Sequence, residues 1–186
     1  LDDRVGSRFL RAGPGFGGSC FPKDTEALAA IASQVGSPTM ITEAVIASND
    51  QRKRAMGKRI VDALGPKAAD KSVALLGLTF KPNTDDMRAS PALDLIDVLE
   101  QAGVTVFAYD PEGMENCKLL RPDVKYAESI ETCVQDADAT VVVTEWGQFQ
   151  TISLDWLSSA MRGSVVVDLR NVFDAVKARS AGLQYV

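Results

Sequence analysis

The run Gly15-Phe16-Gly17-Gly18-Ser19-Cys20-Phe21-Pro22-Lys23-Asp24 sets a cysteine at the exit of a glycine-rich loop, just ahead of a segment with helical periodicity. A thiol in that place has a chemical use. The unpaired N–H groups and positive end of a helix favour its thiolate, and Lys23 adds a nearby cation. Cys20 therefore reads as a nucleophile that needs no histidine, while the glycines let the backbone approach a sugar or a phosphate closely. A structural turn with a simply buried cysteine fits the same spacing. Histidine is absent from the chain, which removes every mechanism built on a Ser-His or Cys-His pair.

A second cluster, Phe80-Lys81-Pro82-Asn83-Thr84-Asp85-Asp86-Met87-Arg88, follows a β-branched run and precedes a helix start at Ser90-Pro91. Ligands of an open parallel sheet bind outside the carboxyl ends of its strands, so Lys81 and Arg88 stand where anionic phosphates would be met. The alternative is a polar loop in which Asp85 and Asp86 neutralise Lys81 and Arg88. Gly77 stands alone, without the G-x-G-x-x-G fingerprint of a dinucleotide cradle. Asp168-Leu169-Arg170-Asn171 closes another strand at the same edge, where Arg170 either converges on the same ligand or is a surface arginine.

The elements that must position these residues fall into two regions, 1–66 and 67–186. In the first, Asp24 or Thr25 caps a helix with an apolar stripe of Ala27, Leu28, Ile31, Ala32 and Val35, closed by Gly36. A long helix then runs from Ser37-Pro38 to Leu64, before Gly65-Pro66. Its polar middle, Asn49 to Arg54, separates two apolar ends, as expected of a connector or dimer-forming element. The basic run Arg52 to Arg59 reads as a solvated face. After Lys71, short β-branched runs alternate with amphipathic helices, which predicts an α/β fold: a Rossmann-like parallel sheet with helices on both faces. Strands are expected at Val73–Leu78, Val104–Tyr109, Ala139–Thr144 and Val165–Leu169, with edge candidates near Val124–Tyr126 and Leu183–Val186. Helices are expected at Ala92–Ala102, Ile130–Ala137 and Leu154–Met161.

The whole chain has 186 residues, 46% of them apolar and 24% charged, enough for a real core. No stretch approaches a membrane span and the first residues do not resemble a signal peptide, so a soluble, cytoplasmic protein is expected. The three widely spaced cysteines form neither a disulfide framework nor a metal-site pattern. Cys117 and Cys133 read as packing residues, and Trp146 and Trp156 as core or interface anchors. A net charge of −5 argues against general nucleic-acid binding.

Taken together, the cysteine loop, Gly77-Leu78-Thr79-Phe80-Lys81 and Asp85-Asp86-Met87-Arg88-Ala89-Ser90-Pro91 resemble the UDP-glucose/GDP-mannose dehydrogenase family. Tyr109-Asp110-Pro111-Glu112-Gly113-Met114-Glu115-Asn116, Thr144-Glu145-Trp146 and Asp168-Leu169-Arg170-Asn171 are similar to its UDP-glucose-oxidising branch. The resemblance covers nearly the whole chain. It implies oxidation of UDP-glucose to UDP-glucuronate with two NAD+, through a thiohemiacetal and a thioester on Cys20, with Asp24 ordering the catalytic water or the loop. It implies that Arg11, Ala12, Gly13, Pro14, Gly15, Phe16, Gly17, Phe80, Lys81 and Arg170 hold the UDP-sugar, with Arg4 reaching a partner subunit's substrate. Cys20, Phe21, Pro22, Lys23 and Arg88 would lie beside NAD, and no metal is implied. It further implies a homodimer through the long helix. The family's N-terminal NAD-binding domain, with its glycine fingerprint and acid/base residues, is not in this sequence, so the chain alone is expected to be inactive. GDP-mannose, UDP-N-acetylhexosamine, and a non-catalytic nucleotide-sugar-binding or dimerisation module remain as alternatives.

Overall fold

The computed structural model describes residues 11–186. Residues 11–20 form neither helix nor strand, as four glycines and a proline require. Helix α1 (Phe21–Gln34) follows, then α2 (Met40–Leu64). A single 3-10 turn at Ala68–Asp70 leads into the sheet region. There β1 (Ser72–Leu76), α3 (Pro91–Gln101), β2 (Thr105–Tyr109), α4 (Met114–Leu120), β3 (Lys125–Tyr126) and α5 (Ile130–Val134) come first. They are followed by β4 (Ala139–Val142), α6 (Gly147–Gln150), α7 (Leu154–Ala160), β5 (Val165–Asp168), α8 (Ala175–Ser180) and β6 (Gln184–Tyr185).

The six strands pair in the order β3-β2-β1-β4-β5-β6, and every pairing is parallel. The period-2 geometry of a strand divides the core in two. Val73 and Leu75 of β1, Val141 of β4 and Val167 of β5 face a cluster containing Ile60 and Leu64 of α2 and Leu95 and Leu99 of α3. Ala74, Leu76, Val142 and Val166 face the opposite cluster, with Cys133 and Val134 of α5, Phe149 of α6, Leu157 of α7 and Ala178 of α8. Both faces are covered, which accounts for strands that read as continuous β-branched runs.

Helix starts and strand ends differ from expectation. Helix α1 begins earlier, at Phe21, with Cys20 rather than Asp24 or Thr25 in the cap position and Pro22 in the first turn. Its apolar stripe is largely uncovered: Leu28, Ile31 and Val35 are exposed, and only Ala32 is buried. Helix α2 begins at Met40 rather than Ser37. Thr39 takes the cap position instead, and its N–H donates to Glu43 Oε1 at 3.2 Å. Strand β1 stops at Leu76 because Gly77, at φ 97°, turns the chain out of the sheet, and a Cβ there would lie 2.6 Å from the Thr144 amide nitrogen. Helices α4, α6 and α8 were not anticipated; they span seven, four and six residues, too few for a periodic pattern.

Along α2 the residues facing the rest of the chain are Asn49, Lys53, Gly57, Ile60 and Leu64, spaced as one helical face. Gly57 permits the closest approach, since a Cβ would meet the Val98 side chain of α3 at 2.7 Å. The polar middle of the helix is therefore partly interior. Lys53, read from the sequence as solvated, is 5% exposed; Arg52, Arg54, Lys58 and Arg59 do face outward.

Candidate functional site

Strand ends β1, β4 and β5 converge at the carboxyl edge of the sheet, and the loop that ends in Cys20 packs against that edge. The turn after β5 is set by Asp168, whose Oδ1 accepts the Arg170 N–H at 3.1 Å. Its Oδ2 accepts from the Phe173 N–H and the Tyr185 hydroxyl, both at 2.9 Å. Burial, with the carboxylate alongside, pushes the Tyr185 phenol well above its ordinary pKa, so it stays a donor. Arg170 is thereby aimed back across the sheet edge. Its Nε–H donates to Val143 O at 2.9 Å, and Glu145 Oε2 sits 2.8 Å from the same nitrogen as an ion-pair partner rather than its hydrogen-bond acceptor. Burial lowers the Arg170 pKa, and the Glu145 charge works against that shift. The Arg170 guanidinium lies against Gly13, where a Cβ would come 2.4 Å from one of its nitrogens.

The rest of the loop is fastened in the same way. The Gly18 N–H donates to Arg88 O at 2.8 Å. Gly17 lies on the Ala89 carbonyl, and Gly18, at φ 91°, against the Phe80 ring; a Cβ on either would collide. Phe16 and Phe21 meet edge to face, with ring centroids 4.6 Å apart. Three side chains of α2 complete the fastening: Arg52 Nε donates to Gly13 O at 2.7 Å, Lys53 Nζ to Ala89 O at 3.3 Å, and the Asn49 amide binds the Phe16 backbone.

Cys20 emerges exposed at the start of α1. Its Sγ lies 3.6 Å from Ser19 Oγ, and its carbonyl accepts the Asp24 N–H at 2.8 Å. The cation expected beside it, Lys23, instead pairs with Asp24 at 3.3 Å, both side chains in solvent. Arg88 is the better-placed charge. It is held above its ordinary pKa mainly by its hydrogen bonds to Asp86, with a smaller contribution from the nearby Cys20. Asp86, in turn, is held below the usual carboxylate range by Arg88. The neutralised polar loop thus holds for one pair only. Asp85 accepts from Asn116, and Lys81 is exposed with its ammonium 5.2 Å from the centre of the Phe80 ring.

Of the residues singled out from sequence, the structure brings Gly13, Gly17, Phe80, Arg88 and Arg170 into one cluster, with Gly15 and Phe16 held against α2 behind it. Arg11 and Ala12 are exposed at its margin. Arg4 lies outside the described residues. Sequence reasoning missed Asn49, Arg52, Lys53 and Glu145. The available signal was the four-residue spacing of Asn49 and Lys53 in phase with Gly57, Ile60 and Leu64, which marks polar side chains on a buried face.

The turn after β1 is occupied by a side chain. Asp110, fully buried at the end of β2, accepts on Oδ2 from Leu78 N–H (2.7 Å), Thr79 N–H (3.2 Å) and Trp146 Nε1–H (3.0 Å). Its Oδ1 accepts from Glu112 N–H (3.0 Å) and Gly113 N–H (2.7 Å).

Comparison with known proteins matches two stretches of the chain. Residues 74–175 match the UDP-binding domain of the UDP-glucose/GDP-mannose dehydrogenase family, and residues 1–51 its central domain. The chain is 46% identical over 185 residues to a UDP-glucose 6-dehydrogenase of Rhizobium meliloti, covering 100% of this chain and 42% of that protein. It is 39% identical over 186 residues to a UDP-glucose 6-dehydrogenase of Bacillus subtilis, covering 100% of this chain and 40% of that protein. The chain thus spans about two fifths of the length of these relatives. Among solved structures, a UDP-glucose dehydrogenase from Pyrobaculum islandicum superimposes with a TM-score of 0.81 at 35% identity, over 100% of this chain and 40% of that one. A GDP-mannose dehydrogenase from Pseudomonas aeruginosa superimposes with a TM-score of 0.73 at 26% identity, over 91% and 39%.

Proposed function

The chain belongs to the UDP-glucose/GDP-mannose dehydrogenase family, and from that premise we propose that it is the substrate-binding part of an NAD-dependent UDP-glucose 6-dehydrogenase. Residues 67–186 would form the UDP-sugar-binding domain, and residues 1–66 the cysteine loop and a helical dimerisation segment. The observation that carries the reading is the packing of the 13–18 loop on Phe80, Ala89 and Arg170, which joins a nucleophile to a basic sheet edge.

In this reading the uridine diphosphate lies between the loop backbone from Arg11 to Gly17 and the side chains of Phe80, Lys81 and Arg170. Exposed Lys81 answers phosphate charge, while Arg170, already held by Val143 O and Glu145, offers its remaining N–H groups in a fixed direction. Arg4 would reach the substrate of a partner subunit. The C6 alcohol is first oxidised to the aldehyde; Cys20 Sγ then adds to the aldehyde carbon, and the aldehyde oxygen takes up a proton, giving a thiohemiacetal. Its oxidation leaves a thioester, which water cleaves to the carboxylate with return of the thiol. Asp24, one turn into α1, orders that water or the loop.

NAD, when bound, accepts one hydride in each of the two oxidations. Exposed Cys20, Phe21, Lys23 and Arg88, with half-buried Pro22 between them, offer a surface that fits one side of it. The β1 turn does not fit its pyrophosphate, because Asp110 already takes those N–H groups. Most of the cofactor site must therefore come from elsewhere, and the chain alone is expected to produce no NADH from UDP-glucose. The exposed Leu28, Ile31, Val35, Met40, Ile41 and Val45 of α1 and α2 support a homodimer formed through the long helix. Among the described residues no helix is long and apolar enough to cross a membrane.

Calorimetric titration tests the substrate assignment. Saturable binding of UDP-glucose that is lost in Lys81→Ala, with no competition from GDP-mannose, is the expected result. Preference for GDP-mannose would overturn it.

A further inference from the structure

We propose that Asn49 is the positioning residue of the cysteine loop, and that α2 acts through it on the chemistry at Cys20. The inference rests on the reading of residues 11–17 as the nucleotide-sugar cradle. Asn49 is 8% exposed, in the middle of a 25-residue helix, where an asparagine contributes nothing to helix propensity. Its amide is used from both ends. Oδ1 accepts the Phe16 N–H at 2.8 Å, and Nδ2 donates to the Phe16 carbonyl at 3.2 Å, across 33 residues of sequence. A side-chain amide in this arrangement imitates a neighbouring β-strand. It satisfies both polar groups of one peptide residue in a loop that has no sheet of its own.

Only one side chain has that donor and acceptor pair at that reach. Aspartate keeps the acceptor but sets a second oxygen against the Phe16 carbonyl; alanine keeps neither. Space also selects for the clamp. Gly15, at φ 149°, passes so close that a Cβ would lie 3.0 Å from Asn49 Oδ1 and 2.8 Å from Lys53 Cγ. Lys53, one turn further along, is bound to Ala89 O and paired with Asp94 at 3.2 Å. Ala89 O is the atom on which Gly17 rests. Asn49 therefore fixes the loop directly on the near side of Cys20, while Lys53 fixes the turn that supports it. Helix α2 carries both, so a displacement along this helix reaches the thiol through four residues of loop.

The test compares Asn49→Ala and Asn49→Asp with wild type in the complete polypeptide of which this chain is the proposed part. Amide hydrogen exchange of the peptide covering Gly15 to Gly18 is followed without substrate, with β4 as the reference. Exchange of the loop is expected to quicken about tenfold or more in Asn49→Ala, the effect of losing both hydrogen bonds to Phe16, and by less in Asn49→Asp, with β4 unchanged. Loop exchange within twofold of wild type in Asn49→Ala would overturn the clamp. The rate of UDP-glucose oxidation should fall in the same order, Ala below Asp below wild type, with kcat/KM for UDP-glucose reduced at least tenfold in Asn49→Ala. A loosened loop with unchanged kcat/KM would overturn the positioning role. A wild-type enzyme that ignores UDP-glucose refutes the assigned substrate instead, and the exchange result is read independently of it.

Discussion

Replacing Asp110 by asparagine changes one atom in a fully buried side chain, and the structure predicts a large loss of stability from it. All five hydrogen bonds described for the carboxylate from N–H groups run the same way, with Asp110 as acceptor: Leu78, Thr79 and Trp146 at Oδ2, Glu112 and Gly113 at Oδ1. Asparagine has one acceptor oxygen and one amino group. In its better orientation the oxygen keeps the three donors at Oδ2, and the amino group is driven against the Glu112 and Gly113 N–H groups. Two hydrogen bonds to a charged acceptor are lost, each worth about 1.5–3 kcal/mol, for a total of about 3–6 kcal/mol. A domain of this kind is stable by about 5–15 kcal/mol, so Asp110→Asn should be marginally folded. Urea denaturation followed by tryptophan fluorescence would show a midpoint lowered by about 1.5–3 M for a slope near 2 kcal/mol/M. Asp50→Asn, on the exposed side of α2, serves as the control. A midpoint shift below about 0.5 M, or about 1 kcal/mol at that slope, would mean that the carboxylate does not hold the strand ends together.

Other consequences are as direct. Native protein at mildly alkaline pH should give one fast thiol with a soluble disulfide reagent, and three after denaturation: Cys20 is exposed, whereas burial raises Cys117 and pushes Cys133 up to about 12. A second fast thiol would contradict the buried positions. Asp138 is held below its ordinary pKa first by its hydrogen bonds to Arg162 and then by the Ser72 N–H, with desolvation opposing. Its contribution is therefore full above about pH 4, the unfolded carboxylate value, and is lost as pH falls through the lowered folded value. Asp138→Asn should flatten that acid limb in a stability-against-pH series; an unchanged limb would exclude Asp138 as its source. Gly77→Ala should cost about 2 kcal/mol or more by urea titration, because it meets both a left-handed φ and the Thr144 backbone; a neutral result would show that the strand end yields.

The parallel sheet was legible because both of its faces are covered, so Val73–Leu76, Ala139–Val142 and Val165–Asp168 read as apolar runs with no alternation to misplace. Helices α4 and α6 were not legible, since a turn or two of helix leaves no period and their formation depends on tertiary support. The cysteine loop was visible as a string of glycines, but what those glycines touch was not. Gly13 faces Arg170, Gly17 faces Ala89 and Gly18 faces Phe80, contacts that span between 62 and 157 residues of sequence. Lys53 was misread because a charged residue on a helix is ordinarily solvated, and only the fold supplies Asp94 and Ala89 O to neutralise it.

The position of Asp110 bears on where a nucleotide could lie. In a dinucleotide-binding domain the N–H groups of the turn after β1 face a pyrophosphate, and the acid at the end of β2 faces a ribose. Here the acid has turned inward and taken the Leu78 and Thr79 N–H groups itself, with Trp146 closing over it. Gly113 fills the remaining space, since a Cβ there would lie 2.5 Å from the Thr79 side chain. A diphosphate in that crevice would confront a buried carboxylate whose charge is already spent on five N–H donors and the Thr79 hydroxyl. In the proposed reading the nucleotide lies further out, over Phe80, Lys81 and Arg170, where the sheet edge alone would offer one wall. The second wall in that reading would be the 13–17 backbone, which cannot hold its shape unaided because its glycines cost more entropy to order than any other residue. Anchoring the loop to α2 and the 88–89 turn supplies that order, and with it, in the proposed reading, a reason for the nucleotide-sugar cradle and the nucleophilic cysteine to share one short segment.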